Sequence, residues 1–334
     1  PTVAGLSAFW IEVEDAAVAP AVARYPSSAP AIEGLVLWGA TNAPGSFATY
    51  HLWITEAVRQ EWTRRDKNSN HPLPGTFVYN GERVVYDMRC MYSGSPFHVR
   101  NFNGPTGSAW CDYSLEMPKD QRLLNATDFL LQMVTDDGTR VRQQVGYWAA
   151  EQLGVPYLHR RYHHLFVNDV RRTPLAEDSQ QPASDVVEQF YPNDDRGPLF
   201  KIEDWFEFQD DGVTFANVNA TLGDFRTAGN MRKTARYRWN WRPRAVRGSA
   251  NEFSELFTLV DAVNATSPQP YEVVVPATLD LREWMRVFAF ERVFRNYDSY
   301  GFQRGKNMYA YKPAQSRWQL LMWDIDFIFA AGST

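Results

Sequence analysis

The chain has 334 residues, of which 44% are hydrophobic and 22% are charged, proportions typical of a globular protein with a sizeable core. Its 34 basic and 39 acidic residues give a net charge of -5, so no global positive field is present to hold a nucleic-acid backbone. Nucleic acid is therefore a poor candidate partner. No apolar run approaches the roughly 20 residues that a membrane-spanning helix needs, and we expect no membrane span.

The first regular pattern is a helical one over residues 47–64, and residues 75–117 follow as strands joined by a glycine-containing loop. The two cysteines, Cys90 and Cys111, are too few for a disulfide framework or a four-thiolate zinc site. A hairpin centred on residues 100–101 would place the two cysteines opposite each other. That register puts Val84, Tyr86, Met88 and Cys90 on one face with Cys111, Tyr113, Leu115 and Met117. This register fits either two buried thiols, which we slightly favour, or a cross-strand disulfide.

The middle of the chain alternates between helical and strand patterns. A helix is predicted over residues 142–153, ended by Gly154 as a left-handed stop and then by Pro156. The apolar residues that recur there at helical spacing are Val145, Trp148, Ala149 and Leu153. A strand over residues 165–167 closes at a turn, Asn168-Asp169, and residues 198–208 predict another strand or a pair of strands.

Two later helices carry cap signals. Asn251 can cap a helix whose apolar face is Phe253, Leu256, Phe257, Val260 and Val263, and Asp280 with Glu283 three residues on resembles a capping box. The second of these helices is expected to bury Trp284, Met285, Phe288 and Ala289. Strands over residues 306–311 and 318–329 follow, joined by a turn at residues 313–316. Mixed helices and hairpins predict an α+β fold.

The last part of the chain holds the residues best suited to chemistry. Asp324 and Asp326 lie two apart in a strand-like run, so both carboxylates would project from one face and need a cation. Pairing the preceding strand through the turn brings Asn307 within a residue or two of Asp324, which adds an oxygen ligand of the kind Mg²⁺ accepts. Asp298 follows a well-marked helix and could accept a proton from an incoming hydroxyl. Solvated surface acids and a simple turn residue are the alternative reading of this spacing.

Several motifs together resemble one family. The strongest are Asn296-Tyr297-Asp298, Asn307-Met308-Tyr309-Ala310-Tyr311, Trp318, and Trp323-Asp324-Ile325-Asp326. Weaker ones are Arg89 with Gly94 and Ser95, Arg142 through Leu153-Gly154-Val155-Pro156, Val167-Asn168-Asp169, Glu177, and Leu199-Phe200-Lys201. This combination resembles the signature of the spore-coat-protein-H (CotH) kinases over about residues 75–329.

The resemblance implies an atypical protein-kinase-like fold with an antiparallel sheet and packed helices. It also implies ATP and Mg²⁺, or Mn²⁺, as cosubstrates and a serine-containing coat or surface protein as the acceptor. By resemblance, Asp298 is the catalytic residue, and Asn307, Asp324 and Asp326 are the metal ligands. The ATP-binding candidates are Lys201 with Glu177 as its ion-pair partner, together with Arg89, Gly94 and Ser95.

Departures from the family pattern keep other functions open. The basic pair that commonly follows the glycine loop is Cys111-Asp112 here, which keeps open a kinase-like binding or scaffold protein with impaired catalysis. Abundant aromatic residues and the acid pair leave a carbohydrate-processing or carbohydrate-binding protein as a lower-ranked alternative. His159, His163 and His164 invite a metal hypothesis, but packing of a histidine cluster against neighbouring arginines explains them better.

The resemblance also predicts how the chain is organised. Residues 1–74 are an unassigned N-terminal extension, and residues 75–334 are the CotH kinase-like domain, with further helices expected after its end. The absence of an initial Met favours a processed form or a fragment. Family resemblance favours a spore-coat, cell-envelope or secreted location, with the compartment left open.

Overall fold

The computed structural model describes residues 5–17, 21–27, 29–31, 33–38, 47–66, 69, 71–93, 103–107, 112–133, 137–208, 215–245 and 251–329. Its backbone contacts divide the chain into two compact units. The first unit comprises residues 1–134 and 159–181, and the second comprises residues 135–158 and 182–334. None of the described helices has the length and apolar character needed to cross a membrane.

The first unit is built mainly from β-strands. Its elements are β1 (Gly5–Phe9), β2 (Ile11–Glu14), β3 (Val22–Tyr25), β4 (Gly34–Trp38), β5 (Ala48–Trp53), α1 (Glu56–Arg64), β6 (Leu73–Tyr79), β7 (Arg83–Ser93), β8 (Asp112–Glu116), β9 (Asp128–Gln132), β10 (Arg160–Val167), β11 (Val170–Arg171) and β12 (Ala176–Gln180). Strands β1 with β4, and β2 with β3, form small two-stranded sheets.

Seven strands of the first unit close into a barrel in the order β10-β12-β9-β8-β7-β6-β5, with β5 returning to β10. All neighbours are antiparallel except β5 and β10, which run parallel and pair Tyr50 with Leu165. The resemblance implies an antiparallel sheet in a protein-kinase-like fold, whereas this sheet is a closed barrel with one parallel seam and differs from a classical kinase fold. Closure leaves no unpaired edge in the ring, and buried side chains such as Phe77 and Tyr113 fill the interior.

The helix predicted over residues 47–64 is half wrong. Only Glu56–Arg64 is helical, whereas Ala48–Trp53 is the barrel strand β5, buried on both faces. Thr55 separates the two, because its side chain accepts a hydrogen bond from the Val58 amide at 3.2 Å and so caps the helix. Burial on both faces removes the period-2 signal that would have marked β5 as a strand.

The β7–β8 hairpin differs from its predicted register. Cys90 lies opposite Leu115, which moves the hairpin centre two residues along the chain, and Cys111 lies outside the described residues. Cys90 is a free, buried thiol whose Sγ donates to the Leu73 carbonyl at 3.3 Å, and burial raises its pKa. Residues before Asp87 also change face, because Asp87 adopts a left-handed φ of 55° within a β-bulge. Val85, rather than Val84 or Tyr86, therefore points inward.

The second unit combines helices with a four-stranded sheet. Its elements are α2 (Arg142–Gln152), α3 (Ser184–Phe190), β13 (Leu199–Ile202), β14 (Trp205–Phe208), β15 (Phe215–Val218), α4 (Thr234–Asn240), β16 (Trp241–Ala245), α5 (Ser254–Val263), α6 (Tyr271–Thr278), α7 (Leu281–Val293), β17 (Met308–Tyr311) and β18 (Gln319–Met322). The sheet has the antiparallel order β16-β13-β17-β18, and β14 pairs with β15. Mixed α and β structure, predicted from the sequence, is confirmed.

Helix ends were predicted better than helix faces. Gly154 follows α2 with a left-handed φ of 65°, as expected, but Val145 and Trp148 are exposed, so the apolar spacing does not mark the buried face of α2. In α5, Phe253 occupies the cap position and makes no side-chain cap hydrogen bond. Asn251, the predicted cap, instead accepts a hydrogen bond from Arg238.

Helix α7 begins as predicted, with the Asp280 side chain accepting from the Glu283 amide at 3.2 Å. The Glu283 carboxyl does not complete the capping box; it accepts from the Leu320 amide of β18 at 3.1 Å. The predicted buried face is partly wrong, because Met285 is 55% exposed and Ala289 is also exposed. The buried positions are Glu283, Trp284, Val287, Phe290 and Glu291.

Candidate active site

The turn that carries Asp298 is fixed by the C-terminus of α7. Arg295 adopts a left-handed φ of 59°, its amide donates to the Arg292 carbonyl at 3.3 Å, and the Asn296 amide donates to the Glu291 carbonyl at 2.9 Å. These two hydrogen bonds form a Schellman motif, which ends the helix and reverses the chain. Asp298 therefore lies in a turn beyond the helix end, half-buried.

Asn307 holds Asp298 directly. Its Nδ2 donates to the Asp298 backbone carbonyl at 3.0 Å and to the Asp298 Oδ2 at 3.2 Å. Asn307 precedes β17 and adopts a left-handed φ of 56°, which asparagine tolerates better than most residues. The amide nitrogen is committed to Asp298, so the amide oxygen is the atom that Asn307 can offer to a cation.

Lys306 is the cation at the centre of this acidic site. The strands β13, β17 and β18 pair Met308 with Ile202 on one side and with Met322 on the other. Lys306 lies two residues before Met308, and the negative charges of Asp204 and Asp324 act on its ammonium. Its Nζ lies 3.0 Å from the Asp298 Oδ2 and 3.8 Å from the buried Asp204 Oδ2.

The pKa values of Lys306 and Tyr297 show the effect of these neighbouring carboxylates. Burial by itself disfavours the charged form of Lys306, but Asp298, Asp204 and Asp324 outweigh burial, so that the pKa of Lys306 is raised. The pKa of Tyr297 is also raised, first by burial and then by the negative charges of Asp298 and Asp326. The predicted acids therefore act on the same small region of the second unit.

Asp324 and Asp326 reach this region by a route that differs from the predicted one. Strand β18 ends at Met322, and Asp324 adopts a left-handed φ of 55°, so strand alternation does not place the two carboxylates. Ile325, buried between them, packs against Gly146 of α2, where an added Cβ would come within 2.6 Å of its Cδ1. The missing side chain at Gly146 thus lets the acidic segment lie close to that helix. The register ends at Met308 and Met322, so the closeness of Asn307 and Asp324 stays a prediction.

The predicted metal ligands offer suitable atoms but no assembled carboxylate cluster. Carboxylate and amide oxygens are the donors that Mg²⁺ prefers, and Asn307, Asp324 and Asp326 supply them. Across the described part of the chain, however, no three His, Cys, Asp or Glu side chains lie together as a metal site. The donor set fits a divalent cation, and the Lys306 ammonium balances part of the same negative charge.

Lys201 lies on β13 and is paired within the second unit. Its Nζ contacts the Glu203 Oε1 at 2.9 Å, and Arg242 donates to the other oxygen of Glu203 at 2.9 Å. Burial opposes protonation of Lys201, but the Glu203 carboxylate outweighs it, so the pKa of Lys201 is raised. Glu203, not Glu177, is the ion-pair partner of Lys201, which corrects the predicted pair.

The other ATP-binding candidates belong to the first unit. Glu177 on β12 accepts from Arg160 at 2.7 Å, with both side chains almost fully buried, so this pair is part of the barrel wall. Arg89 on β7 is partly exposed and lies 3.9 Å from Asp87. Gly94 and Ser95 lie outside the described residues. A role for these four in binding ATP stays a prediction.

Two members of the site, Lys306 and Asp204, were missed from the sequence. Lys306 follows Arg304 in a stretch, residues 299–323, that contains no acid, and a lysine there suggests solvated charge; Asp204 follows β13 without any motif. Their positions carry one signal, because Asp204 and Asp324 lie two residues after β13 and β18, and Lys306 lies two residues before β17.

A comparison with protein families shows which family the chain belongs to. Residues 108–334 match the family model described as CotH kinase protein. The chain belongs to the CotH kinase family. The matched range includes Asp298, Asn307, Asp324 and Asp326, as well as Lys306, whereas Arg89 of the predicted ATP-binding set precedes it. No curated protein matches the chain.

Proposed function

We propose that this CotH-family chain transfers the γ-phosphoryl group of ATP to a serine hydroxyl of a protein acceptor. The observation that carries the proposal is the double hydrogen bond from Asn307 to Asp298 beside the Lys306 ammonium. A fixed carboxylate next to a cation is what a hydroxyl nucleophile and a phosphoryl group require. Family membership supports a coat or surface protein as the acceptor, and a spore-coat, cell-envelope or secreted location.

In the proposed reaction, Asp298 is the base. Its carboxylate accepts the proton of the serine hydroxyl, the serine oxygen bonds to the γ-phosphorus, and the bond from that phosphorus to the β–γ bridging oxygen breaks to release ADP. Asn307 keeps the carboxylate in one orientation through its two hydrogen bonds. Lys306 offers positive charge where negative charge spreads over the phosphoryl oxygens.

Asn307, Asp324 and Asp326 are the residues that would hold Mg²⁺, or Mn²⁺ in its place, because their oxygens suit hard cations. A bound divalent ion would neutralise charge on the ATP phosphates and help hold them in line. The ATP-binding residues in this proposal are Lys201, Arg89, Glu177, Gly94 and Ser95. For Lys201, its raised pKa keeps the positive charge that such a contact needs.

The test is transfer of label from γ-labelled ATP to a serine-rich acceptor in the presence of Mg²⁺ or Mn²⁺. Asp298→Asn and Asp324→Asn preserve side-chain shape, and each is expected to lower the transfer rate by about 100-fold or more. Asp224→Asn is the matched control, because Asp224 pairs with Arg226 and Arg232 instead. Wild-type transfer by Asp298→Asn would contradict the assignment of the base.

A binding or scaffold protein without transfer is the second candidate. Asp112 favours it, because Asp112 stands where the family pattern has a basic residue and its Oδ1 accepts the Met133 amide at 2.9 Å. A structural carboxylate there supplies no positive charge for phosphate. Calorimetry with ATP distinguishes the two candidates, since nucleotide binding without label transfer would support the scaffold and oppose the kinase.

A further inference from the structure

A fully buried polar cluster lies under the turn that carries Asp298. Glu291 on α7, Asn296 and Ser299 are each 0% exposed. Within the described part of the chain, their side-chain oxygens and nitrogens reach no well-aligned hydrogen bond. Buried polar groups in this state are costly, and a folded protein that keeps three of them together calls for an explanation.

The three residues surround Asp298 along the chain. Asn296 precedes Asp298 by two residues, and Ser299 follows it directly. The Ser299 carbonyl also accepts the amides of Phe302, Gln303 and Arg304 at 3.2, 3.2 and 3.0 Å, so it holds the whole turn together. A side chain that orients Asn296 and Ser299 therefore orients the residues between them.

The turn packs directly onto the stem of Glu291. A Cβ added at Gly301 would come within 3.0 Å of the Glu291 Cγ and 2.8 Å of a Phe288 ring atom. Only a residue without a side chain allows this approach at unchanged geometry. The Glu291 carboxyl is consequently confined between α7 and the turn, with Asn296 and Ser299 as its polar neighbours.

We propose that Glu291, as a neutral carboxylic acid, is a positioning residue that shares hydrogen bonds with Asn296 and Ser299 and so fixes the direction of Asp298. The protonated form has both a donor and an acceptor, which an amide and a hydroxyl can both use. This inference rests on the proposed role of Asp298 as the base.

The protonation state that the inference needs agrees with the surroundings of Glu291. Burial raises the pKa of Glu291 to about 8, and Asn296 and Ser299 only moderate that rise. A carboxyl with this pKa is mostly protonated at neutral pH. A buried glutamate ordinarily pairs with a cation, whereas the polar neighbours described around Glu291 are the amide of Asn296 and the hydroxyl of Ser299.

The test compares Glu291→Gln with Glu291→Leu. Glutamine keeps a neutral donor and acceptor, so kcat and the KM for ATP should stay within about twofold of wild type, whereas leucine should lower kcat about 10- to 100-fold with little change in KM. Glu283→Gln is the control, because Glu283 lies on the same helix but bonds to Leu320 and not to the turn. Wild-type kcat in Glu291→Leu would overturn the inference.

Hydrogen exchange supplies a readout that does not depend on catalysis. The amides of residues 302–304 should exchange at least about tenfold faster in Glu291→Leu and at the wild-type rate in Glu291→Gln. Unchanged exchange in Glu291→Leu would overturn the inference even if the wild-type chain transfers no phosphate. If Glu291→Leu fails to fold, Asn296→Ala and Ser299→Ala replace it, and wild-type kcat and exchange in both would overturn the inference. A wild-type chain without transfer, but with the predicted exchange pattern, would refute only the proposed function.

Discussion

At the scale of single residues, Lys306 supplies positive charge within the acidic site. Three carboxylates, those of Asp204, Asp298 and Asp324, raise the pKa of one ammonium, and the nearest contact is 3.0 Å. Like charges brought this close repel unless a cation lies among them. A divalent cation held by the proposed ligands would therefore compete with Lys306 to balance the same negative charge.

Lys306→Met is expected to lower the melting temperature in metal-free buffer and to enlarge the rise in melting temperature that Mg²⁺ produces. The reason is that the site loses its internal cation, so the carboxylates repel one another and bind an added cation more tightly. Lys306→Arg is the control because it preserves the charge. A thermal-shift titration with Mg²⁺ measures both effects. An identical Mg²⁺ response in wild type and Lys306→Met would oppose the predicted metal ligands.

A second prediction at the scale of single residues concerns Glu283 and the dependence of folding stability on pH. Burial raises its pKa in the folded chain to about 8, while the unfolded value is near the ordinary 4.5. The unfolded state thus loses its proton first, so stability falls as pH rises from about 4.5 to about 8, on the order of 1 kcal/mol per unit. In Glu283→Gln the loss between pH 5 and 8 should shrink by a few kcal/mol in urea unfolding. An unchanged pH slope would show that Glu283 is ionised in the folded chain.

At the scale of elements, the end of α7 sets the position of the turn that carries Asp298. Its Schellman motif places a non-glycine residue, Arg295, at the left-handed position where glycine is preferred. A side chain in that conformation costs about 1 kcal/mol. The chain retains this strain at the point where the helix is joined to Asp298.

Arg295→Gly should stabilise the chain by about 0.5–1 kcal/mol, because glycine adopts the left-handed conformation without steric cost. Ala289→Gly, at an exposed position inside the same helix, should destabilise the chain by about 1 kcal/mol. Urea unfolding measures both changes. If both variants were destabilised equally, the left-handed strain at Arg295 would be disproved.

The sequence predicted elements where local chemistry determines them. Gly154 and the Asp280 cap mark helix ends through backbone conformation and one hydrogen bond, and the strand register near Asn307 follows from a short turn. The sequence predicts a helix where β5 lies, because burial on both faces removes the periodicity of the strand. Partners that meet only through tertiary contacts, such as Lys306 with Asp204, lie beyond what spacing can fix. For the candidate site, the sequence predicts the acids but not Lys306, which lies beside Asp298.

At the scale of the whole chain, the barrel of the first unit depends on residues that precede the predicted domain. Strand β5, residues 48–53, pairs with both β6 and β10, and its Leu52 is completely buried. Removing β5 would expose two strand edges and open the hydrophobic core. The predicted boundary at residue 75 falls within β6 and leaves β5 outside the predicted domain.

A chain beginning at residue 75 is expected to lose its cooperative thermal transition, because it lacks β5 and the buried Trp62 of α1. A chain beginning at residue 47 keeps the complete barrel and should retain that transition. Circular dichroism melts of the two purified fragments measure the difference. A cooperative melt of the shorter chain would show that residues 75–334 are an independent domain.

The route of the chain through the two units has a consequence for biosynthesis. Residues 135–158 belong to the second unit but interrupt the first, so the chain passes between the units three times. During synthesis, β5 can pair with β10 only after more than a hundred further residues have been added. By then α2, a helix of the second unit, has already been synthesised without its partners. Such long-range closure slows folding and leaves strand edges open in the nascent chain. One proteolytic cut cannot release either unit as a continuous fragment, so the two must mature as one polypeptide.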